Sequence, residues 1–385
     1  MTLTHLDWLF ISIAVVLAVC LLNLLANFAF AMWAMRTHKL MDEIPFVSVL
    51  VPARNEAHNI QACIASLLNQ DYQNYEIIAL NDDSTDDTGA ILDLLAAQDS
   101  HLQVIHSRLP LPRGWNGKSR ACQTLANQAR GEWLLFVDAD TIHAPNSIRS
   151  GVEQATGLRV ALFSAIPRQI IGSWGERLFL PVAFVLIYSF TVMWRIYLLS
   201  SSRFGNAAAI GQYLLVRRDA YFASGGHDAI RDKILDDQFL AVLFQRHGYR
   251  IALTDADFVA CRMYRGFHDM VLGLSKNAFA NLNGSLVVSL LFVSALMLLF
   301  FLPLVMAFMD AAGGKAGIVP SASLIAVAFT ITIAALVNLR IGQPWWNGLL
   351  YPIQLLVGIG ILLNSIRWHY TGRAQWKGRT LEETT

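Results

Sequence analysis

The apolar residues of this chain fall into two zones that flank a polar block, and that segregation decides most of what it can fold into. From Trp8 to Met35 the chain runs 28 residues without a charge, long enough at about 1.5 Å per residue to cross a bilayer with tilt. No Lys or Arg precedes this run, and it is too long for a secretory h-region, so it reads as an uncleaved anchor. Asn23 and Asn27 lie four apart on one helix face and are expected to bond another transmembrane helix. The second zone, 281–366, holds three charges, Asp310, Lys315 and Arg340. Gly-rich or Pro-marked turns divide it into spans near 285–309, 318–339 and 345–366. The expected organisation is an anchor over 1–36, a globular block over 37–280, C-terminal spans over 281–366 and a tail over 367–385.

Composition agrees and removes several alternatives. Hydrophobic residues make up 55% and charged residues 15%, against about 25% charged in soluble domains. Twenty-nine Lys+Arg against 28 Asp+Glu leave a net charge of +1, without the basic footprint of a nucleic-acid binder. Cys20, Cys63, Cys122 and Cys261 form no CxxC pair, which excludes a disulfide scaffold and a zinc ribbon.

Basic residues near the spans orient the chain. Arg36 and Lys39 follow the first span, so the N-terminus is expected outside and the block cytoplasmic. Three full C-terminal spans would then put Arg367, Arg373, Lys377 and Arg379 outside, against the charge rule. A re-entrant C-terminal segment or an exceptional tail would each resolve the conflict.

Within the block, β-rich and helix-spaced stretches alternate. Strands are expected at Phe46–Ala53, Tyr75–Leu80, Leu102–Ile105, Trp133–Val137 and Val160–Ile166, with helices at Glu56–Leu68, Thr85–Ala97 and Lys118–Ala129. Such alternation implies an α/β domain whose sheet is largely parallel and covered on both faces. Ligands bind such sheets beyond the carboxyl ends of strands. There the chain places Pro52-Ala53-Arg54-Asn55-Glu56, Asn81-Asp82-Asp83-Ser84 and Asp138-Ala139-Asp140. Carboxylates gathered on one rim repel and need a cation or donors to stay ionised, and an Asp-x-Asp turn suits a hard divalent ion shared with phosphates. For Asp82, Asp83 and Ser84 the competing reading is helix capping.

In order, the segments VSVLVPARNE, NDDSTDDT, GWNGKSRA, FVDAD, GQYLLVRRDA, ILDDQFL and RMYRGF resemble the family-2 glycosyltransferases of the GT-A fold, over about 46–280. The resemblance implies a mixed nucleotide-sugar-binding sheet and a donor site. Pro52, Arg54, Glu56 and Asp83 would line the uridine pocket, with Asp82 beside them. Asp138 would lie near the ribose and phosphates and Asp140 would be the direct ligand of Mg²⁺ or Mn²⁺. Lys118, at the start of a helix, would meet a phosphate or a sugar hydroxyl; the alternative is an Asn116-Gly117 turn with a surface lysine. The pair Asp236-Asp237 matches the acidic pair that holds the catalytic base, with Asp237 the base and Asp236 its positioner or a helix cap.

Where processive relatives carry Gln-x-x-Arg-Trp, this chain has Arg262, Arg265 and Gly266. Arg265 would neutralise the diphosphate, and the missing Trp removes a sugar-stacking platform, which implies a single transfer. Leu178–Leu199 is apolar but broken by Pro181 and Arg195. A full span there would part the acidic pair from the nucleotide site, so the stretch over 174–200 is read as lying in the interface, with Trp174, Tyr188, Trp194 and Tyr197 at headgroup depth. Gly211, Gln212 and Arg262 are expected on the acceptor side, as is His227, a loop residue after Gly225-Gly226. The strongest likeness is to the branch associated with carotenoid, hopanoid and other lipid glycosylation, through GQYLLVRRDAY, the Arg262, Arg265, Ser275, Lys276 and Asn277 stretch, and the Trp376–Arg379 tail. The expected reaction is therefore inverting transfer of one sugar, with UDP-glucose the expected donor, to a membrane lipid. Rivals are a polyprenyl-phosphate sugar transferase, for which Arg195, Arg203 and Arg265 are few cations, a ceramide-type transferase or polysaccharide synthase, and a transport or assembly subunit with a nucleotide-binding module.

Overall fold

A computed structural model describes residues 3–37, 44–108, 110–199, 207–314, 317–371, 375–376 and 379–380. Lys39, Arg203, Lys315, Arg373 and Lys377 lie outside these. The chain divides into two compact units.

One unit comprises Met1–Phe28, Ile171–Val192 and Tyr264–Arg373. Most of the long apolar helices belong to it. Across the described residues four helices are long and apolar enough to cross a membrane: His5–Arg36, Leu286–Ala312, Ile318–Arg340 and Trp345–Thr371. A helix covers each stretch expected to span, with ends within a few residues of the expected ones. The stretch after Ile171 never reaches that length, because it forms Trp174–Arg177 and Leu180–Phe190 and then breaks. The break has a physical cause. Side-chain amides of Asn23 and Asn27 donate to the carbonyls of Tyr188, Ser189 and Thr191 at 2.8–3.3 Å, satisfying orphaned groups at a helix end. The partner of these two asparagines is therefore not the expected transmembrane helix but the C-terminus of a helix of 11 residues, too short to cross a membrane.

The other unit, Ala29–Ile170, Met193–Met263 and Ala374–Thr385, is built on an eight-stranded sheet. Its strands are β1 (Val47–Ala53), β2 (Tyr75–Asp82), β3 (Leu102–Ser107), β4 (Trp133–Val137), β5 (Thr141–His143), β6 (Leu162–Gln169), β7 (Tyr213–Arg217) and β8 (Ile251–Cys261). The order is β3-β2-β1-β4-β7-β6-β8-β5. The half from β3 to β4 is parallel, as the alternating pattern predicts. The other half is mixed: β7 runs antiparallel to β4 and β6, and β5 antiparallel to β8. Fully buried Val47, Val49, Leu50 and Val51 of β1, with Leu134 and Leu135 of β4, form its middle, as near-continuous apolar runs do when both faces are covered. The four cysteines are free and buried. The tail pairs Gln375–Trp376 with Arg379–Thr380 in a two-stranded antiparallel ladder.

Candidate active site

Sheet register brings the polar segments together. Asp138 follows β4 directly, and β7 pairs antiparallel with Val137 opposite Tyr213, so Gly211 and Gln212 arrive beside Asp138. Likewise Thr141 of β5 stands opposite Cys261 of β8, and the Arg262 N–H donates to the Asp140 carbonyl at 3.1 Å. Two antiparallel pairings thus join stretches more than seventy residues apart.

A small cleft in this unit is lined by Pro52, Lys118, Asp138, Gly211, His227 and Asp236, among others. Lys118 stands at the start of the helix Gly117–Gln128, whose N-cap Asn116 accepts the Lys118 N–H at 2.9 Å. It is not a surface lysine. Its ammonium lies 2.9 Å from Asp138 Oδ1 and 3.8 Å from Asp236 Oδ2. Burial works against its charge, but Asp138 and Asp236 outweigh it and hold the ammonium well above the ordinary lysine range. The Asn116 N–H and side-chain amide also donate to the carbonyls of Arg231 and Lys233, tying this loop to the segment that leads into the acidic pair.

Asp236 and Asp237 open the helix Asp236–Arg246, where carboxylates are favoured by the helix dipole. Their environments push them apart. Burial opposes ionisation of Asp236, yet Lys118 and His227 outweigh it and its carboxyl falls to about 2. Burial, then the neighbouring Asp236 charge, lifts Asp237 to about 6. Two carboxyls so divided are fit for different roles. Asp237 Oδ2 accepts the Gly211 N–H and Oδ1 accepts the Gln238 N–H, each at 2.8 Å.

Asp140 Oδ1 is buried and has no hydrogen-bond partner among the described residues. Burial, then the charges of Asp138 and Glu56, lifts the Asp140 carboxyl to about 7. A buried carboxylate oxygen without a donor, beside a second carboxylate, is the donor set a hard divalent cation satisfies. The residues present fit such an ion.

At the rim, Arg54 donates to the carbonyls of Asp82 and Asp83 at 2.5 and 3.0 Å. It braces the ends of β1 and β2 against each other. Asp82 is buried and Asp83 lies out at the surface. Ser84 Oγ accepts the Asn55 N–H, and the Glu56 N–H reaches Thr88. The capping alternative therefore does not describe Ser84, whose hydroxyl bonds the β1 turn. Gln212 donates to Cys261 Sγ at 3.0 Å. Arg265 belongs to the other unit, where its N–H bonds Asp269. There too Gly266 has φ +104, a left-handed backbone that a tryptophan would strain, and its N–H is held by buried Glu176 at 2.8 Å. Sequence reasoning passed over Thr141 and His143, which brace the Asp138 turn: Thr141 Oγ1 donates to the Asp138 carbonyl and meets the buried His143 ring. An imidazole two residues after a Thr was the available signal.

Residues 48–222 match the family model Glycosyl transferase family 2. The chain is 34% identical over 108 residues to Glycosyltransferase GlyG of Streptococcus pneumoniae, covering 28% of this chain and 34% of that one. It is 26% identical over 246 residues, 62% of each chain, to a 4,4'-diaponeurosporenoate glycosyltransferase of Staphylococcus aureus. The chain thus spans between a third and three-fifths of the length of these relatives. Among solved structures it resembles the mannosyltransferase PcManGT of Pyrobaculum calidifontis, in complex with GDP-Man and Mn²⁺, with a TM-score of 0.50 and 18% identity over 94% of this chain and 99% of that one. That likeness concerns the fold, which is GT-A.

Proposed function

We propose that this chain, whose residues 48–222 match the family-2 glycosyltransferase model, is such an enzyme and moves a single sugar from a nucleotide diphosphate to a hydroxyl of a membrane lipid, with inversion. The observation that carries the reading is the convergence of Asp138, Lys118 and Asp236 on one cleft, with Asp237 next in the chain.

In this reading Asp237 takes the proton of the acceptor hydroxyl as its oxygen attacks the anomeric carbon from the face opposite the diphosphate. The bond to the diphosphate breaks as the bond to the acceptor forms, so configuration inverts. A base near pH 6 suits that task. An acceptor carboxylate, already ionised at neutral pH, would need no base, so Asp237 favours a hydroxyl acceptor. Lys118 reaches the leaving diphosphate by leaving Asp138, and Pro52, Glu56, Asp82 and Asp83 border the base and ribose, with Arg54 bracing them. Asp140, with Asp138, would hold a divalent ion, which supplies positive charge to the leaving diphosphate when bound; the related fold of the mannosyltransferase was solved with Mn²⁺. UDP-glucose is the donor we favour, and Gly211, Gln212 and Arg262 the acceptor side.

Four helices able to cross a membrane support a lipid acceptor and a multi-pass membrane location. Arg36 and Lys39 after the first of them support a cytoplasmic catalytic unit, with the basic tail as the exception to the charge rule. The name of the staphylococcal relative supports a terpenoid class. Gly266 in the Trp position, with Arg265 before it, supports one transfer rather than a polymer. The test is incubation of the protein in lipid with Mg²⁺ or Mn²⁺ and radiolabelled UDP-glucose, followed by solvent extraction. Label in lipid carrying one sugar is expected. Label in an insoluble polymer overturns the single transfer, and no turnover with any nucleotide sugar overturns the reaction.

A further inference from the structure

One wall of the cleft is made by a group that the displacement does not call on. His227 follows Gly225-Gly226, yet it is only 1% exposed. Gly226 has φ +54, and a side chain there would press into the Tyr221 ring, so glycine lets the chain double back onto the short helix Arg218–Ala223. The turn lays the imidazole against Phe136 of β4, with ring centroids 5.1 Å apart.

The polar contacts around that ring are directional. The His227 backbone N–H donates to the Tyr221 hydroxyl at 3.1 Å, and Nδ1 lies 2.8 Å from the same hydroxyl. The hydroxyl has one proton to give, to Nδ1 or to Gln123 Oε1 at 3.1 Å. Gln123 Oε1 also accepts the Asp228 N–H at 3.0 Å, and its second lone pair leaves it open to Tyr221 as well. The choice is made at the far side of the ring, where Nε2 faces Asp236 Oδ2 at 3.8 Å. Facing a carboxylate oxygen, Nε2 needs the ring proton, so that Nδ1 is the acceptor for Tyr221. The same oxygen also faces Lys118 at 3.8 Å. Asp236 is thus a buried carboxylate bracketed by a cation and an oriented imidazole, and a buried charge left with one loose partner is expensive.

We propose that Tyr221 and His227 form a buried positioning relay that holds the Asp236 carboxylate against Lys118 and thereby fixes the helix turn presenting Asp237. The relay rests on Asp237 being the base. Neither relay residue touches reacting atoms. They act through geometry, where a displacement of about 1 Å costs on the order of a hundredfold in rate.

The test uses the full-length protein in lipid and three relay variants, Tyr221→Phe, His227→Phe and the pair, with His227→Gln as the conservative rescue and Asp237→Asn as the control. Tyr221→Phe removes only a hydroxyl and keeps the ring packing. The expected result is a fall in kcat of roughly tenfold to a hundredfold for each single variant, with donor KM unchanged. The pair should be no slower than His227→Phe alone, because both break one relay, and Gln should recover part of the rate. Parent-like kcat in Tyr221→Phe and His227→Phe, or losses that multiply in the pair and follow melting temperature alone, would overturn the relay. The control separates the two claims. If Asp237→Asn abolishes transfer while the relay variants turn over normally, only the relay falls. If Asp237→Asn transfers sugar at the parent rate, the base assignment falls and the relay with it.

Discussion

Asp237 Oδ2 accepts the backbone N–H of Gly211 at 2.8 Å, so the carboxylate at the start of one helix is held by the residue that leads into β7. Side chain and sheet therefore share one frame. Replacing Asp237 by Asn keeps the shape and an oxygen for Gly211 but removes the basicity. Transfer should fall about 10²–10⁴-fold, the usual worth of a positioned base, while donor affinity, measured by calorimetry, stays at the parent value. Substantial residual transfer would exclude Asp237 as the base.

The rate should depend on pH through the same group. With Asp237 lifted to about 6, its carboxyl is protonated and idle below that pH and ionised above it. The rate with donor and acceptor saturating should therefore rise about tenfold per pH unit below 6 and level off above it. A profile flat from pH 5 to 8 would mean that no such base titrates in the rate-limiting step, as expected for a carboxylate acceptor.

Metal dependence should run through Asp140. Its buried Oδ1 lacks a donor, and Asn would supply a neutral oxygen with far less attraction for a divalent ion. In Asp140→Asn, donor binding should no longer respond to added Mn²⁺, whereas the parent should lose affinity on chelation and regain it on Mn²⁺ addition. Donor binding in the variant that still rises with Mn²⁺ as in the parent would remove Asp140 from the ligand set.

The parts of this architecture that were legible in the sequence are those written in local pattern. The parallel half of the sheet announced itself through β-rich runs that alternate with helical spacing, and the four apolar helices through their length. The antiparallel half was hidden because a strand such as β8, buried at Ile251, Ala252 and Leu253, carries an apolar run that does not state its partner or direction. Pairing is a property of register, and register here is what places Gly211 beside Asp138 and Arg262 beside Asp140. The candidate site residues stood out as chemistry at strand ends, but the engagement of Arg54 with backbone carbonyls did not, because those acceptors belong to every residue alike. His227 was misjudged for the same reason: a histidine after two glycines looks like a loop, and only the fold shows that the loop turns inward.

Asn23 and Asn27 give the last prediction, about stability rather than rate. Together their amides hold three carbonyls at the end of the helix Leu180–Phe190, in an apolar unit where water is not on hand to replace them. Leucine at either position keeps the bulk and the helix propensity but takes one amide from Tyr188 and Thr191, and at position 23 leaves Ser189 without its amide as well. Each single Asn→Leu variant should lose about 0.6–1.7 kcal/mol, from the average to the largest value measured for interhelical hydrogen bonds in membranes. The two losses should not simply add, since Tyr188 and Thr191 each accept from both amides and one amide partly covers for the other. Denaturant-induced unfolding in detergent micelles measures both quantities, and sugar transfer at a temperature where the variants are folded should match the parent. Unchanged stability in the double variant would mean that the helix end is satisfied by other groups. A loss of transfer without a loss of stability would move the two asparagines from scaffold to function.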